Sequence, residues 1–60
     1  MSDQKDSAAY AIRQLADGNT KLKRLAKELE TDDPKLQTVE DVIGCLVVAL
    51  HELHKVHRKL

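Results

Sequence analysis

The sequence predicts an all-α fold: an antiparallel two-helix hairpin, with helices at about 5–30 and 38–59, dimerising into a four-helix bundle. Three observations carry the prediction. Apolar residues recur at alternating steps of three and four through both halves of the 60-residue chain, a period that only a helix gathers onto one side. One stretch of turn chemistry, Thr31-Asp32-Asp33-Pro34, divides the two halves. The apolar side chains also exceed what two helices can hide.

The first helix carries its stripe at Ala8, Ile12, Leu15, Asn19, Leu22, Ala26 and Leu29. Ser2, Asp3, Asp6 and Ser7 are candidate N-caps, and the acidic pair suits the positive end of the helix dipole. Asp17-Gly18-Asn19 has the composition of a helix stop. The stripe nevertheless keeps its phase across these residues, which predicts one continuous helix. Gly18 then costs about 1 kcal/mol relative to alanine, and close approach of a neighbouring helix is the expected compensation. Asn19 has two readings: it bonds its counterpart in a second copy and fixes register, or it reaches solvent beside a distortion at Gly18.

A residue before proline is pushed out of helical geometry, so the first helix ends ahead of Pro34. Thr38-Val39-Glu40-Asp41 approximates a capping box and places the second helix start near Thr38, after a short turn from Pro34. The second stripe is then Val39, Val42, Leu46, Ala49, Leu53, Val56 and Leu60. Lys55, Arg58 and Lys59 lie where the helix dipole favours cations.

Folded about the turn, these stripes pair Leu29 with Val39, Ala26 with Val42, Leu22 with Leu46, Asn19 with Ala49, Leu15 with Leu53, Ile12 with Val56 and Ala8 with Leu60. Asp3 and Asp6 are expected to lie toward Lys55, Arg58 and Lys59, and Lys23, Arg24 and Lys27 toward Glu40 and Asp41. Six residues lie beside or outside the seam: Leu25, Ile43, Cys45, Val47, Val48 and Leu50. The second helix is therefore apolar over most of its circumference between Val42 and Leu50, and a helix of that kind needs more than one neighbour. With one aromatic residue and one cysteine in a single domain spanning residues 1–60, self-association is the available remedy. Ile12, Leu15, Asn19, Leu22, Leu25, Leu29, Val39, Val42, Ile43, Leu46, Ala49, Leu50, Leu53 and Val56 form the expected hairpin core and dimer interface.

Charge and chemistry narrow the function. Ten Lys and Arg balance ten Asp and Glu, without the basic excess of a protein that coats nucleic acid or an anionic membrane. The longest apolar run, Val42 to Leu50, falls well short of the roughly 20 residues a bilayer span requires. A lone cysteine and the lack of an N-terminal apolar run make a reducing cytoplasm the expected compartment. His51, His54 and His57 rise by threes, and the zinc-protease pattern needs histidines four apart; no metal site is expected. Cys45 has no histidine within one helical turn and reads as a small hydrophobe among Val42, Ile43, Leu46 and Val48. No nucleophile elbow, phosphate loop or catalytic carboxylate pair is present, so neither catalysis nor a cofactor is expected.

The expected function is that of a non-enzymatic homodimeric module, a small regulator or assembly factor that binds another protein. Tyr10, the only aromatic, and a second face of the latter helix at Gly44, Val47, Val48 and His51 are the candidate docking residues. Lys21, Lys23, Arg24 and Lys27 form a basic band that supports an alternative, an RNA-binding regulator whose dimer presents two such bands to backbone phosphates. A purely structural oligomerisation domain is the third reading.

Overall fold

The computed structural model describes residues 3–60 as two antiparallel helices, α1 (Asp3–Glu28) and α2 (Pro34–Lys59). Each has 26 residues, or about 39 Å at 1.5 Å per residue, and they lie side by side in a body measuring 49 × 15 × 10 Å. A thickness of 10 Å is one layer of helix. Among the described residues no further element covers either broad side of that layer.

α1 runs without interruption through Asp17-Gly18-Asn19, and no residue among those described has a positive φ. Asp3, Asp6 and Ser7, candidates for the cap, lie inside the first turns of α1; Ser2 lies outside the described residues. The Thr20 hydroxyl donates back to the Ala16 carbonyl at 3.0 Å, the local bond by which a mid-helix threonine satisfies its side chain. At the C-terminal end the Leu29 amide donates to the Ala26 carbonyl at 3.3 Å, tightening the last turn before the chain leaves the helix.

α2 starts four residues earlier than its capping box indicates. Asp33 is the N-cap, with extended backbone at φ −72° and ψ 123°, and its Oδ1 accepts from the Lys35 amide at 2.9 Å. Pro34 occupies the first helical turn, where its missing N–H leaves no bond unmade. Asp-Pro therefore outcompetes the Thr38 box. Asp41, the supposed fourth member of that box, accepts instead from the Gln37 side chain at 2.9 Å.

The earlier start accompanies a different seam. On α1 the residues turned inward are those of the expected stripe, with Ala8 and Asn19 buried and Ile12, Leu15, Leu22, Ala26 and Leu29 half-buried. On α2 the half-buried series is Leu36, Val39, Ile43, Leu46, Leu50, Leu53 and His57, while Val42, Ala49, Val56 and Leu60 are exposed. Antiparallel order then sets Leu29 level with Leu36, Ala26 with Val39, Leu22 with Ile43, Asn19 with Leu46, Leu15 with Leu50, Ile12 with Leu53 and Ala8 with His57. Val39, Leu46 and Leu53 belong to both versions, so the two differ only in which flank turns inward. The flank that wins carries Leu36, Ile43 and Leu50 against Val42, Ala49 and Val56; each additional buried methylene is worth about 0.8 kcal/mol.

Two ion pairs are local. Lys21 Nζ meets Asp17 at 3.1 Å and Lys55 Nζ meets Glu52 at 3.5 Å, each pair within one helix. Lys23, Arg24 and Lys27 close no pair with Glu40 or Asp41 among the described residues, because the shifted seam and the exposed setting give long side chains no reason to stay ordered across the gap. No helix is long and apolar enough to cross a membrane among the described residues.

Candidate interaction surfaces

The seam leaves the hairpin two broad sides. In antiparallel helices the residue preceding each seam position falls on one side of the layer for both chains, and the residue following it falls on the other. On the first side the residues preceding Ile12, Asn19, Ala26, Ile43, Leu50 and His57 are Ala11, Gly18, Leu25, Val42, Ala49 and Val56, an apolar middle row, while Lys35 continues it at the turn and Ser7, Gln14, Lys21, Glu28, Thr38, Cys45 and Glu52 lie along its outer edges. The corresponding middle row of the other side is Ala9, Ala16 and Lys23 on α1 and Glu40, Val47 and His54 on α2, with Arg13, Lys27 and Arg58 among the residues along its outer edges. One side therefore has an apolar middle, with its charges at the edges and the turn, and the other is mixed throughout.

The apolar side is wet in the single hairpin. Leu25 is 42%, Val42 41% and Val56 51% exposed, although these are residues whose burial drives folding. Ala11 and Gly18 are half-buried and Ala49 is exposed. A Cβ placed on Gly18 would meet nothing within 4 Å. The expected compensation for that glycine, a close neighbouring helix, is thus not supplied by α2.

The candidate docking residues are all open but do not share a face. Tyr10 stands on the outer surface of α1, 59% exposed. Val47 lies on the mixed side of the layer, with Gly44 and His51 next to it and Val48 pointing away from α1. Both valines are exposed. A Cβ on Gly44 would also meet nothing within 4 Å, so no part of this chain requires its small size.

Lys21, Lys23, Arg24 and Lys27 are exposed, but at 3.6 residues per turn they fan over roughly half the circumference of α1. Lys21 is also engaged by Asp17. The result is a dispersed set of cations, where phosphate tracking needs a stripe.

The titratable cluster at the end of α2 divides. His57 is turned toward the seam and half-buried, and His51 and His54 are exposed. Among the described residues no three of His, Cys, Asp or Glu converge as metal ligands. Cys45 is exposed, which corrects the expectation that it packs among its apolar neighbours: Ile43 and Leu46 turn into the seam while Val42 and Val48 stay outside with it. No cavity opens in the described surface, and helix faces are what it presents to a partner.

Sequence reading did not anticipate the apolar side as a unit, because its residues were divided between the supposed seam and its surroundings. The available signal was a seven-residue recurrence, Ala11, Gly18, Leu25 and Val42, Ala49, Val56, alongside the seam. No protein-family model matches the chain, and no curated protein or solved structure matches it either.

Proposed function

We propose that the chain acts as a non-enzymatic homodimer, a four-helix bundle that serves as a small regulator or assembly factor by binding another protein through its remaining exposed helix faces. One observation carries the reading: the hairpin has a seam but no core. No side chain among those described is fully buried, and of these residues only Ala8 and Asn19 are buried. The surface area of 4826 Å² exceeds the roughly 4,000 Å² expected of a compact monomer of 6.8 kDa. The surplus of about 800 Å² is comparable with the area that each partner contributes to a standard protein interface.

A second layer of helices supplies what the first lacks. Stacking two hairpins turns each 10 Å layer into a bundle with an interior, the arrangement in which apolar helix flanks are covered. The exposed free thiol of Cys45 fits a reducing compartment such as the cytoplasm. Sedimentation equilibrium over a concentration series, with circular dichroism at the same concentrations, tests the reading. A dimer that loses helicity as it dissociates is expected. A monomer that stays folded at the lowest concentration overturns it.

A further inference from the structure

Resting on the dimer reading, we propose which surface and which orientation the dimer uses. A second copy of this chain seats on the side bearing Ala11, Gly18, Leu25, Val42, Ala49 and Val56. The two hairpins run in opposite directions about a two-fold axis at the layer of Gly18 and Ala49.

The choice of side follows from what each would bury. The mixed side would take Lys23, Glu40 and His54 out of water along with Val47, and charges removed from water without partners are costly. The middle row of the apolar side offers only carbon and an unused glycine, and its charges, Lys21, Lys35 and Glu52 among them, lie at the edges and the turn, where they can stay in water. Its two strips are also in step: Leu25 and Val42 lie toward the turn, Ala11 and Val56 toward the open end, and Gly18 and Ala49 midway. Small residues at the centre let helix axes approach near the lower end of the usual 8–10 Å range, and the larger side chains then pack to either side. The empty space around Gly18 is where the partner helix passes.

The orientation follows from charge. At the turn end, from Arg24 to Asp41, six acidic residues, Glu28, Glu30, Asp32, Asp33, Glu40 and Asp41, outnumber Arg24, Lys27 and Lys35. At the open end Lys5, Arg13, Lys55, Arg58 and Lys59 outnumber Asp3, Asp6 and Glu52. Hairpins stacked turn to turn would bring two acidic ends together. Stacked in opposite directions, each acidic turn lies over the basic end of its partner, the complementary arrangement. A two-fold axis across the helices then sets α1 on α1 of the second copy and α2 on α2, so residues in the central layer meet their own counterparts.

Self-meeting makes the proposal testable by cross-linking. In a Cys45→Ala background, Ala49→Cys and Val47→Cys each place one thiol on an exposed position of α2, on opposite sides of the layer. Under mild oxidation Ala49→Cys is expected to give a covalent dimer at least about tenfold faster than Val47→Cys, since a disulfide needs Cα atoms within about 7 Å. An equal or faster reaction at Val47→Cys overturns the choice of side. A dimer by sedimentation in which Ala49→Cys does not cross-link overturns the axis and orientation while leaving the dimer intact; a monomeric parent chain overturns the dimer itself. As a measurement without cysteine, Ala49→Lys is expected to weaken association by about a hundredfold or more, and Val47→Lys to leave it within about threefold. The reverse order overturns the proposal.

Discussion

A carboxamide enclosed between two helices must find partners inside the protein, and the Oδ1 of Asn19 finds none. Asn19 is only 6% exposed and its carbonyl oxygen is buried without a hydrogen bond. This removes one of its two sequence readings, in which the side chain escapes to solvent beside a distorted Gly18. The helix does not distort there, and the side chain stays in the seam at the level of Leu46. A buried acceptor left unmade costs about 1–3 kcal/mol. Asn19→Leu replaces it with an apolar group in an apolar layer and is expected to raise stability by about that amount in urea melts at fixed protein concentration. No gain in the melt would mean that the oxygen is satisfied in the folded protein in solution, as pairing with a second Asn19 would do. Gly44 offers a residue-scale contrast. It lies in mid-helix, with a negative φ and open space where a Cβ would stand, so Gly44→Ala is expected to stabilise the chain by about 0.5–1 kcal/mol without altering association.

At the scale of the helix, the start of α2 separates two kinds of local signal. Asp33 and Pro34 act together, one accepting the Lys35 amide and the other fixing the backbone at the first turn. Asp33→Ala is expected to lower stability by about 1 kcal/mol. Thr38→Ala, which would be equally damaging if Thr38 were the cap, is expected to change it by less than about 0.5 kcal/mol. Comparing the two denaturation midpoints checks the assignment. Both helices and the continuity of α1 were legible in the sequence, because alternating steps of three and four tolerate no other geometry and hold their phase across Gly18. The seam of α1 was legible for the same reason. The seam of α2 was ambiguous: Val39, Leu46 and Leu53 can be joined through Val42, Ala49 and Val56 or through Leu36, Ile43 and Leu50, and both routes keep the same spacing. Side-chain volume decides between them. Thr38 drew the helix start past Leu36, so the larger set lost its first member.

For the whole molecule, the same ambiguity becomes a property. A helix with two valid apolar flanks turns one toward its neighbour in the hairpin and leaves the other facing water, and α1 adds Ala11, Gly18 and Leu25 beside it. An excess of apolar positions was visible in the sequence, but their collection onto one broad side depended on the seam phase and the antiparallel order of the helices. A single layer with one apolar side has little of the enclosed volume from which small domains draw stability. If a second copy encloses that side, folding and association form one equilibrium, and the melting temperature becomes a function of protein concentration. Each tenfold rise in concentration shifts the balance by about 1.4 kcal/mol, equivalent to a rise of several degrees for a protein of this size. Thermal melts followed by circular dichroism over three decades of concentration are therefore expected to move steadily upward. Val42→Lys, which places a charge on the apolar side, is expected to flatten that dependence and lower the midpoint, while Val48→Lys on the outer face is expected to leave both unchanged. A midpoint independent of concentration in the parent chain would show that the seam alone suffices to hold the two helices together.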